Sequence, residues 1–183
     1  MIGKRVLGAL AALATMVCFG GQTMAAGGAN TVQVAYVSPT DMAQATQDAI
    51  RVVGGKRRIW CVPFAREVSG IEIKGNASTW WNQAANVYPR GQTPIAGAVL
   101  NFRSSNHMPM GHVAVVSEVI DARTIRVVQA NWTRNRITTD VVVDVSGDNT
   151  WSQVRVENAN SFGRVNPAYG FIYRPAAQRV ASR

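Results

Sequence analysis

Two cysteines and two histidines are the only thiol and imidazole side chains in the sequence, so nucleophilic or metal chemistry has few candidates. Cys61 opens a short helical stretch, with Pro63 near its start and Gly70 as its terminator. A thiol there meets the positive end of the helix dipole, which depresses its pKa and favours the nucleophilic thiolate. The backbone N–H groups of the same turn offer a cradle for an oxyanion. Such a thiol needs a base. His107 follows the polar run Arg103-Ser104-Ser105-Asn106 and reads as a loop residue, whereas His112 follows Gly111 and opens the most apolar strand. A histidine at the mouth of a buried strand is often only a satisfied core group, but Cys61 makes His112 the candidate base. Gln129 and Asn131 stand two apart on the next strand and share a face if that strand is regular. Either amide oxygen would accept Nδ1–H of His112 and fix its tautomer. On their own, both would read as strand terminators, Asn131 being a good turn residue. So few thiols and imidazoles make no convincing zinc site, and thiol chemistry requires no cofactor.

The elements that must hold these groups fall in two blocks. Met42, Ala45, Ala49, Ile50 and Val53 recur at helical spacing, with Thr40 or Asp41 as cap and Gly54-Gly55 as stop. The basic turn Lys56-Arg57-Arg58 leads to the helix of Cys61, and Ala77 to Val87 reads as a third helix. Beyond Pro94 the pattern changes to strands at 98–102, 112–120, 124–130, 139–145, 153–156 and 171–173. Val113 to Val116 are apolar on both faces, as in a central strand. Helices first and strands afterwards predict an α+β domain, its N-terminal helices packed on an antiparallel sheet.

The chain has 183 residues, 47% hydrophobic and 16% charged, a composition that suits one globular domain and excludes disorder. Its net charge of +9 points to anionic surroundings: nucleic acid, acidic lipid or a bacterial wall polymer. Charge alone does not choose among them, and the N-terminus sets the compartment. Lys4 and Arg5, the apolar run Val6 to Phe19, and Thr23-Met24-Ala25-Ala26 follow the plan of a secretory signal peptide cut after Ala26. The run of about 14 residues is too short to span a bilayer, which takes about 20. Export, to the periplasm or outside the cell, and no stable membrane insertion after cleavage are therefore expected. Cys18 leaves with the leader, and an unpaired Cys61 in an oxidising compartment suggests a reactive thiol, the bland reading being a buried inert one. The expected organisation is a signal peptide over 1–26, a flexible segment over 27–40, a catalytic domain over 41–176 and a tail over 177–183.

Five blocks carry a resemblance: W-C-V-P-F-A-R-E-V-S-G-I at 60–71, W-W-N-Q-A at 80–84, P-I-A-G-A-V-L-N-F at 94–102, G-H-V-A-V-V at 111–116 and A-N-W at 130–132. Each is weak, but in this order they resemble the CHAP family, the cysteine, histidine-dependent amidohydrolases and peptidases. The likeness extends from about Ile59 to Trp132, and more loosely to Y-G-F-I-Y at 169–173. The resemblance implies a papain-like α+β fold that cuts amide bonds in bacterial peptidoglycan, with Cys61 as nucleophile and His112 as base. The next polar positions of the family, often Glu and Asn, fall on Gln129 and Asn131, so the acid is replaced by an amide. The family slot favours Gln129. Asn131 is shorter, stiffer and matches the amide of papain-like enzymes, and it is the expected partner of His112.

Four tryptophans, Trp60, Trp80, Trp81 and Trp132, invite a sugar-stacking role, although tryptophan is more usually core. Trp60 and Trp132 adjoin the catalytic candidates and are the expected groove residues. Lys56, Arg57 and Arg58 read equally as contacts to an anionic wall or as a solvated turn. The expected protein is a monomer acting on peptidoglycan without nucleic-acid partners, since no basic helix or stacking motif is present. The alternative is a non-catalytic or weakly active wall-binding protein that keeps the fold, favoured by the missing acid at Gln129.

Overall fold

Ser38 and Pro39 start the first helix, two residues earlier than the spacing predicts. The computed structural model describes residues 33–158 and 161–176. In it the Ser38 hydroxyl accepts from the Asp41 N–H and donates to the Asp41 carboxylate, a capping arrangement that opens α1 (Pro39–Val53). Proline at the first helical position has no N–H to leave unsatisfied. The apolar stripe of α1 buries Met42, Ala49 and Val53. Helix α2 (Cys61–Ser69) matches its expected bounds and ends at Gly70 in the left-handed conformation, φ 70°. The third helix is shorter than expected: a 3₁₀ turn, Ala77–Thr79, then α3 (Trp80–Gln83). Asn86 has a left-handed φ of 63°, which breaks the helical path before Val87.

Seven strands follow: β1 (Arg90–Gly91), β2 (Val99–Phe102), β3 (His112–Asp121), β4 (Thr124–Ala130), β5 (Ile137–Asp144), β6 (Gln153–Asn158) and β7 (Ser161–Ile172). All pairings are antiparallel, in the order β1-β7-β2-β3-β4-β5-β6, and β6 pairs again with β7. The sheet therefore closes into a barrel. Strand β7 effects the closure, pairing through Ser161–Pro167 with β6 and through Ala168–Ile172 with β2. Only its last residues read as a strand in the sequence, because Gly163, Pro167 and Gly170 interrupt the pattern. Pro167 and Gly170 lie where the strand passes from one partner to the other, a position that tolerates both. A Cβ on Gly170, φ 120°, would lie 2.5 Å from the Gly91 carbonyl oxygen, so β1 can approach only a glycine here.

Period-2 alternation sorts the strands into two cores. Leu100, Phe102, Ala114, Val116, Ile125, Val127, Val142 and Phe171 fill the barrel, while Val99, Val113, Val115, Val128 and Ala130 face the helices. Each fully buried Leu, Ile or Phe contributes roughly 1.5–3 kcal/mol, so both faces of β2–β4 are strongly specified. Residues 33–36, expected to be a tether, lie along the C-terminal segment: Val34 bridges Pro175, and Ala35 N–H donates to the Arg174 carbonyl at 2.8 Å. The segments expected to be a signal peptide, 1–26, and a tail, 177–183, lie outside the described residues. No helix among the described residues is long and apolar enough to cross a membrane.

Candidate active site

Helix α2 packs against the outer face of β3 and β4, which brings its first residue to the mouth of the barrel. Cys61 and His112 line one cleft of about 410 Å³ together with Trp60, Met108, Asn131 and Trp132. Trp60 caps α2 without a side-chain hydrogen bond, and Pro63 has no N–H. The N–H groups of Cys61 and Val62 are thus directed at the thiol, joined by that of Val113 from β3. These three donors draw the thiol pKa down, but burial outweighs them and pushes it above its ordinary value. The depression expected from the helix dipole alone is thus reversed by desolvation.

His112 is 5% exposed and lies on the inward parity of β3, between the Phe102 ring at 5.5 Å and the Trp132 ring at 5.1 Å. Burial pushes its pKa down from 6.5 to about 4, opposed by its hydrogen bond to Gln129 and by the charge of Asp140. Both groups are therefore favoured in their neutral forms near neutral pH. The entry to β3 is tight: a Cβ on Gly111, φ 67°, would fall 2.7 Å from the Ser78 amide nitrogen. Glycine there lets the 3₁₀ turn close on the strand that carries His112, with Ser78 N–H donating to the Met110 carbonyl at 2.8 Å.

The hydrogen-bond partner of the imidazole is Gln129, not Asn131. Gln129 Oε1 lies 2.9 Å from His112 Nε2, and Gln129 is fully buried. The ring is thus held through Nε2 rather than through the expected Nδ1. Asn131 is past the end of β4 with a left-handed φ of 64°, so the shared strand face does not extend to it. Its Oδ1 accepts instead from Asn135 N–H at 2.8 Å, inside the turn that follows. Asn135 Oδ1 in turn accepts from Ile59 N–H at 2.8 Å, which ties that turn to the chain entering α2.

Behind Gln129 stands a group that sequence reasoning missed. Gln129 Nε2 donates to Asp140 Oδ2 at 2.7 Å, and the Thr138 hydroxyl donates to the same oxygen at 2.5 Å. In the β4–β5 register Gln129 faces Thr138 and Val127 faces Asp140. The signal was available: Asp140 is two residues from inward-facing Val142, so it is an acid at an inward position of a strand.

Trp60, 49% exposed, and half-buried Trp132 both line the cleft. Trp80 is fully buried in the helix-side core. Trp81 is stacked on Tyr169 at 5.5 Å with Arg90 over its ring, so its faces are occupied by protein. His107 is in a turn at the cleft wall. Among the described residues no group of three or more His, Cys, Asp or Glu side chains is placed to hold a metal ion.

Residues 53–131 match the family model of the CHAP domain. This span is therefore similar to CHAP domains, a family generally of hydrolytic amidases and peptidases. The matched span includes Cys61, His112, Gln129 and Asn131 and ends before Trp132 and Asp140. A search of the curated proteins finds no match.

Proposed function

We propose that this chain is an exported cysteine hydrolase that cleaves an amide or peptide bond of bacterial peptidoglycan, with the barrel and α2 arranged as in papain-like enzymes. The observation that carries this reading is the meeting of Cys61 and His112 in one cleft, inside the span matched by the CHAP model. With Nε2 held by Gln129, Nδ1 is the ring nitrogen left for the thiol. The neutral imidazole takes the thiol proton as sulfur attacks the substrate carbonyl, forming the C–S bond and an oxyanion. The N–H groups at the start of α2 hold that oxyanion. Collapse breaks the C–N bond, and the imidazolium protonates the departing amine. Water then attacks the thioester while His112 takes its proton, releasing the acid and returning the thiol. Trp60 and Trp132 wall the groove.

A non-catalytic wall-binding protein is the second reading, favoured by the burial that keeps the Cys61 thiol protonated. Digestion of purified sacculi separates the two. The wild-type protein should release soluble fragments whose masses identify the bond, and folded Cys61→Ala should release none. A stoichiometric iodoacetamide adduct on Cys61 should suppress release in parallel. Equal digestion by the folded Cys61→Ala protein removes the thiol mechanism; binding of sacculi without release by the wild type establishes the second reading.

A further inference from the structure

A second concavity adjoins the cleft. It measures about 770 Å³ and is lined by Arg57, Arg58, Trp60, Asn131, Arg134 and Asn135. Three guanidinium groups thus share one basin that has no carboxylate in its lining. Among the described residues none of the three takes part in an ion pair. Arg58 lies over the Trp60 ring, 5.0 Å from its centroid, which fixes one wall. The basin is also pinned from beneath, because the Asn135–Ile59 hydrogen bond joins its two lining segments, 57–60 and 131–135. Like charges gathered round a concavity repel one another and focus a positive potential into it. Arginine is the residue suited to bidentate carboxylate recognition. Trp60 and Asn131 belong to both concavities, so the basin continues the groove that contains Cys61.

We propose that this basin is a substrate subsite for a carboxylate borne by the same peptide chain as the bond to be cut. The proposal rests on the hydrolase reading for its substrate, since peptidoglycan stem peptides carry free carboxylates. Its test has an arm that does not. The rates of Cys61 alkylation by anionic iodoacetate and neutral iodoacetamide are compared in the wild type and in Arg57→Gln/Arg134→Gln. The iodoacetate-to-iodoacetamide ratio should fall severalfold in the variant as the positive potential that the basin extends over the adjoining cleft weakens. Matched stem peptides bearing the carboxylate or its carboxamide should show a similar loss of kcat/KM preference. If the wild type hydrolyses neither peptide, the hydrolase reading fails while the alkylation ratio still decides the basin. Ratios identical in wild type and variant overturn the subsite. Arginine-dependent binding of a phosphate-rich wall polymer, without carboxylate preference, also overturns it and makes the basin a polymer dock.

A second inference stands on the hydrogen bonds behind His112. A carboxylate only accepts, so Asp140 forces the Gln129 NH₂ toward itself and the Gln129 Oε1 toward the ring. An amide oxygen also only accepts, so His112 Nε2 must carry the proton and Nδ1 keeps its lone pair. We infer that Asp140 is a positioning residue that fixes the reactive tautomer of His112 through Gln129. Asparagine at 140 can donate or accept, which frees the Gln129 amide to turn over. Nitrogen-15 NMR of the histidines should show the Nε2–H tautomer in the wild type and a mixture in Asp140→Asn. In that variant kcat should fall about tenfold with KM little changed, because the loss is one of orientation. Gln129→Glu/Asp140→Asn, which sets the carboxylate directly on the ring, should recover kcat. A folded Asp140→Asn that keeps a single Nε2–H tautomer overturns the inference, as does an activity loss that the double variant leaves in place.

Discussion

Gln129 and Asn131 differ by two positions and play opposite structural parts. Gln129 is the last polar residue still inside the ladder, opposite Thr138, and so its amide points to the barrel mouth. Asn131 has left the ladder, and its left-handed backbone makes it a turn former whose oxygen is already spent on Asn135. Gln129→Ala should therefore lower kcat by about 10² to 10⁴, by comparison with loss of the orienting carboxylate in a serine triad. Asn131→Ala should lower stability by about 1–2 kcal/mol through the strained φ, with a much smaller effect on kcat. Turnover and urea unfolding of both variants check this pair; a dead, folded Asn131→Ala beside an active Gln129→Ala reverses the roles. The depressed pKa of His112 makes a further prediction with a definite sign. Below pH 6.5 the unfolded chain takes up a proton that the folded ring refuses until about pH 4, so stability falls as pH drops through that window. The contribution is about 3 kcal/mol at most, from 1.36 kcal/mol per pKa unit. The difference in unfolding free energy between His112→Gln and the wild type should change across pH 6.5 to 4 and stay flat above; a flat difference throughout contradicts the burial of a neutral ring.

The turn at 131–136 is the element that couples the barrel to α2. Asn135, itself left-handed at φ 58°, accepts from Ile59 N–H two residues before the thiol. Asn135→Ala leaves that donor without its partner and strains the turn, so a stability loss of about 1–2 kcal/mol is expected. If the contact aims α2, the rate of Cys61 alkylation should change in the same variant; a loss of stability with wild-type alkylation would confine the contact to folding. Such long-range ties explain what the sequence could and could not disclose. The helix of Cys61 was legible to the residue, because Pro63 and Gly70 are local signals and its motif is contiguous. Strands β3 and β4 were legible because runs such as Val113–Val116 are apolar on both faces, and each face proves to meet a different core. Barrel closure was not legible, since β7 depends on two partners distant in sequence and contains Pro167 and Gly170 at the crossover. The Asp140 contact was missed for the same reason: it exists only in the β4–β5 register. Trp81 shows the converse, a surface aromatic whose meaning lies in its neighbours. Arg90, Trp81, Tyr169 and Arg103 stack in succession, tying α3 and the β1 edge to β7 rather than presenting a bare ring to a sugar.

At the scale of the whole molecule, charge governs encounter rather than chemistry. The net charge is +9, and exposed arginines border the site: Arg164 lines the cleft, and Arg57, Arg58 and Arg134 line the adjoining basin. Cys61 and His112, by contrast, are favoured uncharged by burial, so the field around the cleft and the proton transfer proposed within it are separable. Long-range attraction to an anionic sacculus is screened with a Debye length of about 30 Å at 0.01 M salt and about 8 Å at 0.15 M. Binding of the inactive Cys61→Ala protein to sacculi should therefore weaken severalfold between those salt concentrations, mostly through a slower on-rate. A short-range carboxylate contact in the arginine basin is screened less than the long-range field, so discrimination between carboxylate and carboxamide substrates should survive the same change. Turnover of a small neutral amide substrate, which the field does not steer, should stay nearly constant. The informative result is the contrast among the three readouts in one salt series. Sacculus binding that ignores salt assigns the basic surface to something other than capture, and discrimination that collapses together with binding places the arginines' effect in the general field rather than in a formed subsite.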